Sequence, residues 1–257
     1  LSVEGTLTYI KERCGLSSGE EEGMSCSEFI LPSSFDYKKQ VYLGIFEHLP
    51  APKEAGFAEA LQKNIYKALT LTGGKAFVLF TSYALLNRTA DHLSTPLALA
   101  GIPLLRQGDA TRHKILNEFR RNRASVLFGT DSFWEGVDVE GESLSNVFIT
   151  RLPFQVPNDP VIKARSDQIR KRGGNPFTAY TVPQAVIKFR QGFGRLIRSK
   201  SDFGSVLIFD SRVINKHYGR QFLNSLPGCT TSFGSENAVL SGLTRFYEDF
   251  KNGARPA

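Results

Sequence analysis

Apolar residues recur along this chain in two rhythms. Short unbroken runs such as AFVLF from Ala76, SVLF from Ser125 and SVLIF from Ser205 have the length of buried strands. Between them, apolar positions fall three or four apart, as on one face of a helix. The pattern predicts an opening helix over 6–14, a strand over 40–46 and a helix over 54–69, whose Phe57, Leu61, Ile65 and Leu69 make one stripe. Gly73 and Gly74 end that unit. Strands follow at 76–80, 104–105, 125–128, 147–152 and 205–209. Helices are expected at 84–93, 112–121, 160–172, 183–197 and 237–250. Short apolar strands alternating with helices imply βαβ units: an α/β fold with a mainly parallel sheet and helices on both faces. The whole chain, 1–257, reads as one such domain, with 1–53 a less regular lead-in.

Composition narrows the class. Hydrophobic residues make up 41% of the 257, enough for a sizeable core. No apolar run approaches a membrane span, and no charged-then-apolar leader is visible, so no membrane partner is expected. Cys14, Cys26 and Cys229 form no C-x-x-C pair, which supports neither a zinc site nor a disulfide framework and favours a reducing, cytoplasmic setting. A start at Leu1 with Met24 as the single methionine reads as a piece of a longer protein.

Charge is more telling. Residues 1–150 carry 15 lysines and arginines against 18 acids, whereas 151–200 carry 11 against 2. The excess of +7 therefore lies in fifty residues, a field that suits nucleic acid or nucleotide phosphates. A local run such as Arg170, Lys171 and Arg172 reads first as a solvated helix face, whereas the full segment, with its Gly and aromatic residues, reads as an anion site.

Ligands of a parallel α/β sheet bind beyond the carboxyl ends of its strands. Three segments there hold candidate chemistry. In Phe80-Thr81-Ser82, small hydroxyls at a helix start can bond a phosphate together with backbone N–H groups; an ordinary N-cap is the alternative. The segment GTDSFWEGVDVEG, 129–141, brings Thr130, Glu135, Gly136 and Asp138 together. Gly136 permits close backbone approach and Asp138 can accept a ribose hydroxyl, while Phe133 and Trp134 read as packing residues. In QGFGRLIRS, 191–199, Arg195 and Arg198 lie three apart, which on a helix puts both on one face. Two such forks of donors suit a phosphoryl group, although a surface ion pair is the plainer reading.

Some chemistry is missing. No G-x-x-x-x-G-K-[ST] loop occurs, since Leu69 and Ala76 stand where its first Gly and its Ser/Thr would be. The sequence therefore lacks a complete NTPase site. Its four histidines have no metal-ligand spacing, and no nucleophile elbow is present.

The ordered set FTS, GTDSFWEGVDVEG, LPFQVPNDP and QAVIKFRQGFGRLIRSKSDFGSVLIFDSR resembles the second motor domain of DinG/XPD-like superfamily 2 DNA helicases. LPSSFDY and YGRQFLNSLP are also similar to that family, so nearly the whole chain is covered. The resemblance implies a RecA-like domain of the P-loop NTPase type, without a Walker loop of its own. It would face a first RecA-like domain of the same polypeptide across an ATP cleft. That partner domain would hold ATP and Mg²⁺ and, in some members, a 4Fe–4S cluster. The opening LSVEGTL resembles the segment that follows the first domain's last motif.

Carried over, Arg195 and Arg198 would address the γ-phosphate and Gln191 would sense it. Gly136, Asp138 and Glu135 would lie at the nucleotide, and Ser82, Thr81 and Thr130 at the phosphates of single-stranded or forked DNA. The implied protein is an ATP-dependent DNA helicase of DNA repair, intracellular and nucleoid-associated if bacterial. A non-catalytic nucleic-acid-binding module is the alternative.

Overall fold

The computed structural model describes residues 5–16, 26–134, 144–155 and 159–252. After the short helices α1 (Thr8–Arg13) and α2 (Tyr37–Gln40), the chain enters β1 (Val41–Phe46). It continues through α3 (Phe57–Thr72), β2 (Ala76–Leu79), α4 (Tyr83–Leu99), β3 (Leu104–Arg106), α5 (Arg112–Arg121) and β4 (Val126–Gly129). Next come α6 (Asp131–Trp134), β5 (Asn146–Ile149), α7 (Pro160–Lys171), a π-helical turn (Phe177–Thr181) that runs into α8 (Val182–Phe193), and β6 (Gly204–Ile208). The last elements are α9 (Arg212–Asn215), α10 (Gly219–Asn224), β7 (Thr230–Gly234) and α11 (Glu236–Lys251).

The strands form one seven-stranded sheet, order β3-β4-β2-β5-β6-β1-β7, in which every neighbouring pair is parallel. Successive side chains of a strand point to opposite faces, and here both faces are covered. Val41, Leu43, Phe77, Leu79, Leu127, Val147, Ile149, Val206 and Ile208 enter the core shared with α5, α6, α8 and α10. Their neighbours Tyr42, Val78, Phe128, Phe148 and Leu207 enter the core built by α3, α4 and α11. This is the layered α/β architecture that the alternating pattern implies, and it explains why the central strands read as continuous apolar runs.

Turn chemistry sets several boundaries. α3 closes on Gly73 in the left-handed region (φ 68°), and at Gly74 (φ 78°) a Cβ would stand 2.1 Å from the Ala124 carbonyl oxygen. Asp159 caps α7, its Oδ1 accepting the Val161 and Ile162 N–H groups, with Pro160 in the first turn.

Two expectations change. α4 runs on to Leu99 because Leu97 extends its buried stripe; Pro96 in the final turns removes one bond without stopping the helix. α8 ends at Phe193, not at 197, where Gly194 and the turns after it take over. β1 forms where the sequence places a strand, fully buried and bonded to both β6 and β7. β7 itself, TTSFG, is an edge strand with alternate burial and no apolar run, so the pattern gave no signal for it.

Candidate functional site

All seven strands run the same way, so the segments after β1, β2, β4, β5 and β6 share one edge of the sheet. Thr81 and Ser82 follow β2, both half-buried. Ser82 is the N-cap of α4, its Oγ accepting the Leu85 N–H at 3.4 Å, so the helix start expected there is real. Thr130 follows β4 but is only 5% exposed. Its N–H and its hydroxyl both donate to Gln107 Oε1, at 2.6 and 3.0 Å. Gln107 Nε2 in turn donates to the Tyr83 and Ser132 hydroxyls. Thr130 therefore braces the segments after β2, β3 and β4 against one another, with its hydroxyl turned to Gln107 rather than outward. Gln107, in the turn after β3, belongs to none of the segments that the sequence marks as candidate chemistry.

The second cluster gathers behind Trp134. That side chain is fully buried, and its Nε1 donates to the Phe80 carbonyl at 3.0 Å, which bears out its reading as packing. α8 crosses it at Gly192, where a Cβ would come within 2.9 Å of the indole. The glycine thus admits the tryptophan ring.

Arg195 and Arg198 lie beyond the end of α8, so one helix face does not align them. Contacts position them instead. Arg195 donates from Nε and Nη2 to the Trp134 carbonyl at 3.2 and 2.7 Å, which joins the segment after α8 to the segment after β4. Asp202 accepts the Arg198 and Ser199 N–H groups at 2.8 Å each. Gln40 Nε2 reaches the Ser199, Lys200 and Asp202 carbonyls from the start of β1. Gln191 is exposed on the last turn of α8. Glu135, Gly136 and Asp138 lie outside the described residues.

A third group includes Asp210 and Arg212, which end the string QAVIKFRQGFGRLIRSKSDFGSVLIFDSR but have no role in the sequence reading. Asp210, fully buried after β6, accepts the Leu152 N–H at 2.8 Å and grips Arg212 through two bonds, Nε to Oδ1 at 2.8 Å and Nη2 to Oδ2 at 2.6 Å. Burial works against the Arg212 charge, but the bonds to Asp210 outweigh it and raise its pKa. Arg151, after β5, donates to the Pro52 carbonyl at 3.1 Å and lies 4.9 Å from the Phe57 ring centre. Burial lowers its pKa, with Asp210 acting in the opposite sense.

Among the described residues no three His, Cys, Asp or Glu side chains gather as metal ligands. Cys14 and Cys26 are exposed, whereas burial pushes the Cys229 thiol up to about 12, a poor source of thiolate. These cysteines do not fit a 4Fe–4S site. No helix among the described residues is long and apolar enough to cross a membrane.

The helicase C-terminal domain family matches residues 65–229. The ATP-dependent DNA helicase YoaA of Escherichia coli is 38% identical over 227 residues, 88% of this chain and 34% of that protein. The 3'-5' exonuclease DinG of Bacillus subtilis is 36% identical over 237 residues, 90% of this chain and 25% of that protein. The chain thus spans about a third or less of the length of these curated relatives. Among solved structures, XPD in its apo form superimposes with a TM-score of 0.56 at 17% identity, over 76% of this chain and 40% of that one. That likeness shows the fold, which is RecA-like.

Proposed function

The chain belongs to the helicase C-terminal domain family, in its DinG/XPD-like superfamily 2 branch, and on that premise we propose that it serves as the second motor domain of an ATP-dependent DNA helicase. The observation that carries the reading is the bond from Arg195 to the Trp134 carbonyl. It ties an arginine suited to a phosphoryl group to the segment that continues directly into Glu135, Gly136 and Asp138.

In this reading the parent polypeptide supplies a Walker-bearing first motor domain with ATP and Mg²⁺ between the two. Arg195 and Arg198 reach the γ-phosphate only when the domains close, which makes closure depend on that phosphate. Gln191 reports its presence, and Gly136, Asp138 and Glu135 line the nucleotide. Thr81 and Ser82, at the start of α4, hold a phosphate of single-stranded DNA. Thr130 acts on that strand through Gln107. Both sets of groups ride on one sheet, so closure over ATP moves the DNA contacts with it.

The test uses a polypeptide that carries both motor domains. Arg195→Ala and Arg198→Ala should each lower ATP turnover by about 10³–10⁵, roughly 4–7 kcal/mol of barrier. Lysine should rescue little, because a point charge cannot reproduce the planar fork. Nucleotide-free DNA affinity should stay near wild type in both, while Arg195→Ala should also melt lower, because it loses its two bonds to the Trp134 carbonyl. Near-normal turnover in both variants would refute the assignment and leave the non-catalytic binding module as the better account.

A further inference from the structure

A cavity of about 670 Å³ opens at the carboxyl edge of the sheet, between α7, the π-helical turn and the segments after β5 and β6. Its size falls within the roughly 300–1,000 Å³ usual for small-molecule and cofactor sites. Three rings, with Ile162 and Pro176, form its apolar part. Phe154 and Phe177 lie 5.9 Å apart at 28°, and Tyr218 stands edge-on to both, at 5.5 and 5.3 Å. Phe177 remains 40% exposed, a large aromatic face turned to solvent.

All the charged side chains of the described lining are cationic, beside neutral ones such as Gln155, Ser166 and Asn175. Lys53, Lys163, Arg170 and Arg212 contribute, and no carboxylate appears among the described lining residues. Arg212 is already committed to Asp210, with its guanidinium 5.6 Å from the Phe154 ring centre, so it fixes the aromatic floor. Arg170 is paired with Asp167 at 2.7 Å on the exposed surface. α7 has no fully buried residue, and five of its side chains are charged, four of them positive. It contributes little to the core and walls the cavity. Lys53 also lines the neighbouring cavity that contains Ser82 and Arg151, so the two cavities adjoin along the same edge.

An aromatic face flanked by cations, continuous with a helix start suited to phosphate, has the chemistry of a single-strand binding groove: bases stack and the backbone is tracked by charge. We propose that this cavity is a base-stacking subsite for single-stranded DNA, in which one unstacked base lies on Phe177 and its flanking phosphates meet Lys53 and Lys163. The inference rests on the DNA-binding reading above and adds a place where the strand is gripped by a base. It also gives that grip a mechanical connection, because the helical stretch that begins at Phe177 ends at Phe193, two residues before Arg195. A base held at one end is then coupled by a rigid element to the arginines at the other.

The experiment is an abasic scan. Short single strands, each lacking one base at a different position, are titrated against the 257-residue chain and against Phe177→Ala. One position should lose affinity by about 5- to 150-fold, the usual worth of a stacked base. Phe177→Ala should lose a similar factor on the intact strand and little more on the strand already abasic there, while Phe177→Trp should retain binding. Lys163→Ala, on an exposed helix face, should reduce the slope of log affinity against log salt by roughly 1. Salt-sensitive binding with a flat abasic profile, or a Phe177→Ala penalty equal on both strands, would overturn the subsite and leave the DNA-binding reading standing. No binding of any single strand at low salt would overturn both. Competition by thymidine monophosphate as strong as by the strand would assign the cavity to free nucleotide and overturn the proposal.

Discussion

Gly192 lies in the string that holds Gln191, Arg195 and Arg198, yet packing requires it: the space beside it is filled by the Trp134 indole and by Leu79, 3.2 Å from where a Cβ would be. Gly192→Ala should overpack a site with no room to yield, at a cost of about 1–3 kcal/mol. For a chain of this size that is a melting temperature lower by about 2–12 °C. A calorimetric scan checks it; unchanged melting would mean that Trp134 re-seats freely. Thr130 makes a related point. Its residue type and position after a strand suit a phosphate contact, yet its hydroxyl is turned to Gln107. The side chain that decides this is 23 residues away in sequence and carries no motif, so no local reading could have foreseen it.

At the scale of elements, the ends and edges carry the information that the apolar pattern lacks. α3 ends at the glycines expected to close it, and Asp159 with Pro160 sets the start of α7. β7 had no such signal, because an edge strand buries only alternate side chains. It is held on β1 through backbone pairing and is followed at once by α11.

α11 docks on α3 through Glu236, which pairs with Lys67 and, at 3.1 Å, with Lys63. The bond from Lys67, with Lys63 adding to it, holds the Glu236 carboxyl below its ordinary pKa against a smaller opposing effect of burial. Since the folded value is depressed, the unfolded chain binds the extra proton first as pH falls. The stabilisation is present in full above the ordinary carboxylate pKa and lost as pH drops through the folded value. Both lysines are largely exposed, so the worth is of the order of 0.5–1 kcal/mol. Glu236→Gln should melt about 1–4 °C lower at neutral pH, with the gap closing in acid well below about pH 4.3. A gap independent of pH would remove the ion pair as its cause.

Over the whole molecule, charge and topology act together. The positive excess between 151 and 200 spans α7, the π-helical turn and α8. These elements extend from the carboxyl edge of the sheet, where the candidate DNA groups lie, to the segment with Arg195 and Arg198. Phosphate contacts release condensed counterions, so single-strand affinity should fall steeply between about 50 and 200 mM salt, along a straight line of log affinity against log salt. Replacing Lys163, Arg170 and Lys171 together should flatten that line. Affinity indifferent to salt would exclude this stretch as the binding surface.

The sequence by itself determined the layered α/β fold. Hydrophobic periodicity is local, and strands buried on both faces leave short continuous apolar runs between the helical stripes. It also determined the family, because the order and separation of several weak strings carry more information than any one of them. Tertiary structure alone decided which candidate groups meet. Arg195 reaches Trp134 across 61 residues, Gln107 intercepts Thr130, and Asp210 pins Arg212 beneath Phe154 and Phe177. Periodicity reports which face of an element is buried. Which side chains converge depends on strand order and helix crossings, and these are fixed by packing between segments far apart in the chain.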